Sequence, residues 1–546
     1  MLNTGMVTAE NVSSSTTDTS PVPAWLQFNR SDTAPTFQEG AAKMRGESGL
    51  GFCTPGGCLE ILWVLLDHLN SENVTYCYWK SSRRLPAVLA GEADLDLLIG
   101  RSDQHRVQGV LLGCGLKQFP NLCALDDPAV TSFLGYDDAR GRLVHVHLHM
   151  RVIVGAKLLP NYRLPWEAKM LASARMHPRY PVRVLDTATE ATLLVVRACL
   201  ELRRLDPVVG RHWKASQQKF ALDCADLTLR VNCDELRARA TELAGEECAD
   251  PIEDSLYEPA SLGRQKRLRR RLRKQLAAHR MYGTAEAGVR GMARTVAFAV
   301  GMLNQRVLQA PRTWRRRAPG GGIVVALLGV DGSGKSTAVR AVREWLKPEI
   351  DVMPIYFGTG DGRPSLLLLP FKLLVPVFNA LSPSRPKGSS HGTVTARPPG
   401  LAYTIGLALW ATVLACEKRL KLKAARRGAD RGLVVVADRY PQDQLPSFND
   451  GPLLPRLARI PGWLRRFETG AYTLAGQLQP DLVVKLRASP DLIAQREPNM
   501  DRTVITQRTC ELDQLAFPGA KTISLDAAQP AAEVARAIKR EIWQLL

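Results

Sequence analysis

Acidic residues are in short supply in this 546-residue chain: 53 Asp and Glu stand against 73 Lys and Arg, a net charge of +20. That balance excludes an acidic, solvating polypeptide and predicts polyanionic company: nucleotides, nucleic acid or an anionic membrane face. Long apolar runs are missing as well. None reaches the ~18 to 20 residues that would span a bilayer. Ser365 to Leu381 is interrupted by Pro370, Lys372 and Pro376, and Leu401 to Cys416 stops at 16 residues, so both read as buried or interfacial helices. The first 22 residues are polar, and Ser13 to Ser20 is a Ser/Thr-rich run where a secretory leader would have an apolar core. No C-x-x-C occurs among the 11 cysteines, and Cys53 and Cys58 have no second pair at zinc-site spacing. A reducing cytoplasm is the expected compartment. Hydrophobic residues at 45% and charged residues at 23% are ordinary globular values, which excludes wholesale disorder and a collagen-like fibre.

The length suits roughly three to four domains. Residues 1–52 are rich in Ser, Thr, Pro and Gly without a period and read as a disordered tail. An α+β domain is expected over 53–180. Leu59, Leu62, Trp63 and Leu66 recur at helical spacing. Thr75 to Trp79 and Leu95 to Ile99 suit strands, and Arg142 to Met150 alternates, with His145, His147 and His149 on one face. A helical extension follows over 181–250. Residues 251–320 form a basic helix and linker: nine cations between Arg264 and Arg280 interleave with Leu268, Leu272 and Leu276 at four-residue spacing. Pro319 and the glycines up to Gly322 mark the boundary of the last domain, 321–546. There short apolar strands alternate with helices: Ile323 to Leu328, Leu433 to Ala437, Leu482 to Leu486 and Thr522 to Leu525. That rhythm predicts an α/β fold with a parallel sheet covered on both faces. Val534, Ile538, Ile542 and Leu545 stripe a closing helix.

Gly329, Gly334, Lys335 and Ser336 fit G-x-x-x-x-G-K-S/T completely, between an apolar strand and a helix expected to begin near Thr337. In such a loop the backbone N–H groups of Gly329, Asp331, Gly332, Ser333, Gly334, Lys335, Ser336 and Thr337 close on phosphate oxygens, at the positive end of a helix. Lys335 would reach the β and γ phosphates and Ser336 would ligate Mg²⁺. ATP and Mg²⁺ are the cofactors this implies.

From Ile323 onward the chain resembles the thymidylate kinase branch of P-loop nucleotide kinases. The resemblance rests on the loop with Asp331 in its acidic slot and on Ala437, Asp438, Arg439 and Tyr440 closing a strand. It also rests on Pro480 and Asp481 opening a strand followed by Ser489, Pro490, Asp491 and Arg496, and on Asp526 and Ala527 before the closing helix. It implies that Asp438 orients Mg²⁺ or its water and that Arg439 grips the acceptor phosphate. Gly332 stands where some members carry a loop arginine, so the lid must supply that cation, with Arg496 and Arg502 as candidates. Phosphoryl transfer spreads charge over equatorial oxygens, which is why cations are needed there. The family's acceptor-side signatures are altered. The chain reads Tyr356 to Arg363 and Pro441 to Gln444, then Phe448 to Pro452, where base-holding segments are expected, and an extra stretch, 364–428, follows. The donor half is kept and the acceptor half is changed.

Asp94 and Asp96 stand at i, i+2 on a strand, hence on one face, which would aim both carboxylates at one divalent ion. With Lys80, Ser81 and Ser82 upstream, residues 53–180 more weakly resemble the nucleotidyltransferase fold. Its usual Gly-Ser pair is replaced, and the strand expected to carry a third carboxylate carries the three histidines, which suit a transition metal. Active nucleotidyl transfer, a substrate-binding remnant and a plain polar strand face all remain open.

Three functions follow. The first is an ATP-dependent kinase acting on a nucleoside monophosphate or related phosphorylated small molecule. The second is a kinase with a nucleotidyltransferase-like module, both serving a sugar or glycan. The third is a non-metabolic ATP switch at a membrane. The expected partners are a small-molecule phosphate acceptor and an anionic membrane surface met through the basic helix, at the periphery of a cytoplasmic protein. No specific nucleic acid is expected, since the basic segment lacks the aromatics that stack bases; a homodimer stays open.

Overall fold

A computed structural model describes residues 57–120, 129–156, 158–201, 210–307, 315–358, 401–445, 451–454 and 460–546. The expected tail 1–52, Ser365 to Leu381 and the segment Phe448 to Asp450 lie outside the described residues. All described residues belong to one unit, Phe52–Leu546.

The first apolar stripe forms helix α1 (Glu60–Ser71), which buries Ile61, Leu62, Leu65, Leu66 and Leu69. Strands β1 (Tyr76–Tyr78) and β2 (Leu95–Ile99) are followed by α2 (Gln104–Gly113), β3 (Lys117–Phe119), β4 (Val130–Asp137) and β5 (Arg142–His149). β6 (Val152–Ala156) and β7 (Leu159–Leu164) make a separate hairpin, and β8 (Arg175–Met176) and β9 (Arg183–Val184) return to the first sheet. Its order is β3-β4-β5-β2-β1-β9-β8, with parallel and antiparallel pairs mixed. β2 runs parallel to β5 with Asp96 opposite His147, so register alone delivers this carboxylate to the histidine face.

Helices α3 (Thr187–Glu201), α4 (Trp213–Thr228), α5 (Cys233–Ala244), α6 (Glu246–Tyr257) and α7 (Leu262–Gln275) close around one apolar core with Trp79, Leu236, Ile252, Leu268 and Leu272 in it. The boundary expected at 250 falls inside α6. The leucines of the basic helix are likewise spent on this core: Leu268, Leu272 and Leu276 are buried, leaving Lys266, Arg267, Arg270, Arg271, Arg273 and Lys274 outside. α8 (Thr284–Val307) follows.

The second half alternates as its sequence predicts: β10 (Val324–Gly329), α9 (Lys335–Leu346), β11 (Val352–Tyr356), α10 (Leu401–Asp430), β12 (Val434–Asp438), α11 (Gly462–Gln477), β13 (Leu482–Arg487), α12 (Pro490–Arg496), α13 (Arg502–Gln514), β14 (Lys521–Asp526) and α14 (Ala531–Leu545). The sheet order is β11-β12-β10-β13-β14, all parallel. Every residue of β10 is buried, as a central strand covered on both faces requires. β12 and β13 flank β10, so the chain order reverses there, where open parallel sheets form a crevice at the strand ends. α9 begins two residues before Thr337, at the lysine of the loop itself. Leu545 drops out of the expected stripe of α14: it sits in the last turn and is partly exposed, while Val534, Ile538 and Ile542 are buried.

The two halves share one core. Phe119 stacks on Trp543 at 6.2 Å between ring centres, and Tyr136 meets Trp345 edge-on at 5.3 Å. Around these rings Lys117 Nζ donates to the Trp543 carbonyl at 2.6 Å, and Arg540 forks onto Asp138 at 2.9 and 2.5 Å. Trp543→Ala should therefore cost about 3–5 kcal/mol, as for a buried aromatic truncation. It should also separate one calorimetric transition into two, which differential scanning calorimetry would register.

A second consequence concerns Glu190 on α3, buried beside Ser82, whose backbone N–H and hydroxyl donate to it at 2.8 and 3.0 Å. Burial pushes its carboxyl up to about 7, against the opposing pull of those two hydrogen bonds. The folded form thus holds a proton that the unfolded form releases near pH 4.5. The stability it contributes is full below that pH and is lost as pH rises through 7. Glu190→Gln should flatten the fall in melting temperature between pH 5 and pH 8; an unchanged slope counts against this assignment.

Candidate active site at the carboxyl end of the parallel sheet

The loop after β10 turns on two glycines in the left-handed region, Gly332 at φ +83° and Gly334 at φ +91°, the latter capping α9. A side chain at Gly332 would also meet Glu497 at 2.9 Å. Lys335 is buried and folds back over the loop, donating to the carbonyls of Gly329 at 3.0 Å and Val330 at 2.9 Å. Burial pulls its ammonium below the usual lysine range, with Asp331 pulling the other way. Ser333 lies under the loop against Gly329, while Ser336 and Thr337 are exposed in the first turn of α9.

Asp331 is the hub of the charges here. Its Oδ1 accepts from Arg439 at 2.7 Å and Lys335 at 3.4 Å, and Arg508 on α13 lies 3.8 Å from Oδ2. Burial alone would raise its carboxyl, but Lys335, Arg439 and Arg508 bring it below the usual carboxylate range. Arg439 follows β12 with φ +68°, a left-handed conformation that costs a non-glycine residue roughly 1–3 kcal/mol. The turn aims its side chain back at the loop. Asp438 sits one residue earlier; its Oδ2 accepts from Ser336 at 3.4 Å, and its buried Oδ1 has no hydrogen-bond partner among the described residues. Burial raises its carboxyl despite Lys335 and Arg439.

Of the two lid candidates, Arg496 at the end of α12 reaches the loop, donating to the Gly332 carbonyl at 3.1 Å and to Ala527 at 3.3 Å. Arg502 does not: it opens α13, is 72% exposed and pairs with Asp491. Arg508 is the cation that sequence reasoning missed. Its signal was there, since it shares a helical stripe with the buried Ile505 and Leu512, an unusual place for a charge.

The amino-terminal carboxylates are placed separately. Asp94 lies just before β2, outside the strand, and its Oδ1 comes within 3.2 Å of His145 Nδ1. Asp96 is engaged by His149 Nε2 at 2.9 Å and His147 Nδ1 at 3.3 Å, with Lys80 Nζ at 4.0 Å. Burial opposes its ionisation, yet Lys80 and both histidines hold it well below the usual carboxylate range. Burial pulls His149 down to about 4 despite Asp96, so its ring is neutral near pH 7. Two groups from the second half close this cluster. Arg316 meets His147 Nε2 at 3.3 Å and Glu349 at 2.6 Å, and Glu349 Oε2 lies 3.2 Å from His145 Nδ1.

No family model matches the chain. Among curated proteins, the chain is similar to "Uncharacterized ATP-binding protein YghS" of Escherichia coli K12, with 29% identity over 227 residues, 41% of this chain and 93% of that protein. It is also similar to "Uncharacterized ATP-binding protein YghR" of the same strain, with 25% identity over 221 residues, 39% of this chain and 83% of that protein. Both names specify ATP binding and no acceptor.

Proposed function

We propose that this chain is an ATP-dependent phosphotransferase whose 321–546 portion is a P-loop domain of the thymidylate kinase type, with a nucleoside monophosphate or related phosphorylated small molecule as acceptor. One observation carries the reading: Lys335, Arg439 and Arg508 converge on Asp331 at the mouth of the glycine loop, with Arg496 bound to the same loop. Three cations around one carboxylate and a fourth on the loop are a receptor for a polyphosphate, because transfer needs charge neutralised on several oxygens at once. The ATP-binding names of the two relatives agree with it. Mg²⁺ would be held by Ser336 and Asp438, whose unpartnered Oδ1 suits a hard cation; when bound, it supplies charge neutralisation between the phosphates.

The chain's own residues do the rest. Loop N–H groups and Lys335 seat the donor phosphates. Arg439 reaches the transferring group and its acceptor from the opposite side, and Arg496 and Arg508 cover the lid side. Asp331 keeps these cations in place and gives them up to an incoming phosphate. A sugar or glycan acceptor served jointly with the amino-terminal module is the second reading, favoured by the core the two halves share.

A basic face adds a peripheral site. Lys266, Arg267, Arg270, Arg271, Arg273 and Lys274 point outward from α7, and the next helix, α8, exposes Val289, Met292, Val296 and Val300. Such a pair suits an anionic membrane surface, at about 1 kcal/mol per lysine or arginine near the lipid.

Four measurements follow. Lys335→Ala should lower ATP turnover by ~10²- to 10³-fold, the usual loss for one charge-stabilising group; unchanged turnover would end the assignment. Arg508→Ala should lower kcat by at least ~10-fold, with Arg502→Ala within ~2-fold, since only Arg508 reaches the loop. An acceptor screen with labelled ATP over dTMP, dUMP, UMP and sugars should find dTMP poor, because the base-holding segments are altered; efficient and selective dTMP turnover refutes this. Vesicle co-sedimentation should show preference for anionic lipid at low salt and loss of binding near 0.5 M salt, about a 4 Å Debye length.

A further inference from the structure

The histidine strand β5 offers two overlapping donor sets: Asp94, His145 and His147, and Asp96, His147 and His149, with donor atoms in each set within 4.8 Å of one another. What each carboxylate already holds separates them. Asp96 takes hydrogen bonds from two rings and has Lys80 beside it, so its charge is spent inside the protein. Asp94 is different: its side chain is 46% exposed and faces His145. His145 is only 7% exposed; its Nε2 has no hydrogen-bond partner among the described residues, and its Nδ1 faces the carboxylates of Asp94 and Glu349 at 3.2 Å each. Buried polar atoms without partners are uncommon, and each calls for a ligand, ion or water.

We propose that one divalent transition-metal ion binds at Asp94 and His145, with Glu349 from the second half as a further ligand. The Asp94 and Glu349 oxygens each lie 3.2 Å from the same His145 nitrogen. That spacing is the edge of a coordination polyhedron with bonds of about 2.0–2.2 Å. His145 binds through Nδ1 with its proton on Nε2. Mixed imidazole and carboxylate donors favour Zn²⁺, Co²⁺ or Ni²⁺ over Mg²⁺, which prefers oxygen and water. Glu349 now pairs with Arg316 inside the second half; an ion draws it toward His145 and so adds a tie between the halves.

The full chain, stripped with EDTA, is titrated with Co²⁺ at pH 7.5 and followed by visible absorption. One equivalent should give a saturable ligand-field band, bleached by Zn²⁺ and untouched by millimolar Mg²⁺. Asp94→Asn, a surface change that should leave the melting curve intact, should weaken binding at least tenfold. His145→Asn should abolish the band, and Glu349→Gln should weaken it. His149→Gln, the exposed control His279→Asn and Lys335→Ala should leave it unchanged, the last because the ion is independent of the nucleotide site. Absence of a one-equivalent band, or wild-type binding in both Asp94→Asn and His145→Asn, overturns the proposal. So does loss confined to His149→Gln, which would move the ion to Asp96.

Discussion

The aromatic contact between Trp345, Trp543, Tyr136 and Phe119 is the constraint on which the rest of the molecule depends. It makes the amino-terminal sheet and the parallel sheet two faces of one core. The polar bonds around it go mostly from side chains to backbone carbonyls: Lys117 to Trp543, Tyr136 to Arg536 and Lys539 to Gly141. Lys117 is notable because the Trp543 carbonyl belongs to the last turn of α14, where carbonyls lack helical partners and the dipole end is negative. A lysine from one half thus caps a helix of the other. Burial lowers its ammonium to about 8, so the cap is charged at neutral pH and weakens above it.

The charge arrangement at the glycine loop follows a different logic. Lys335, Arg439 and Arg508 would repel one another in a partly buried crevice. Asp331 offsets that repulsion in the absence of a phosphate, and Arg439 tolerates a left-handed backbone to reach it. Strain of that kind persists only where surrounding contacts over-determine it, and here the Arg439 backbone N–H also donates to the Leu327 carbonyl at 3.0 Å. The cations are therefore held in place by the protein's own contacts, which is how a site limits the reorganisation that binding an anion would otherwise require.

Much of this was legible in the sequence. The strands of the second half announced themselves as short apolar runs, and the loop as a complete motif, because parallel strands buried on both faces and a phosphate-binding turn constrain every position. The register that sets Asp96 opposite His147 was not legible, since alternation fixes a face but not a neighbour. Arg502 stood as a lid candidate and Arg508 did not, because a lid arginine was sought by its place after α12, and proximity in sequence says little about which turn of a helix faces the site. The basic helix was half legible. A leucine stripe shows only that something covers it, and here that is the core of α3 to α7. Arg316 and Glu349 carried no signal of their own: Arg316 is one of three adjacent arginines, and the meaning of each residue comes from a partner 33 residues away and from a strand much earlier in the chain.

Helix α9 relates the two polar regions. It begins at Lys335, on the loop, and ends at Leu346, just after Trp345 has packed on Tyr136; Glu349 then reaches His145. Twelve helical residues span about 18 Å, so the two regions sit at opposite ends of one rigid element. That length is too great for one small acceptor to contact loop cations and histidines together. A molecule acted on at both would have to leave one region to reach the other. What the regions can share without transfer is the position of α9 itself, because its first turn carries loop ligands and its last turn is fixed by the Tyr136 contact. A displacement at either end is resisted by a close-packed core, which passes strain on and does not absorb it. The geometry therefore gives the amino-terminal module a hold on α9, and through it on the loop.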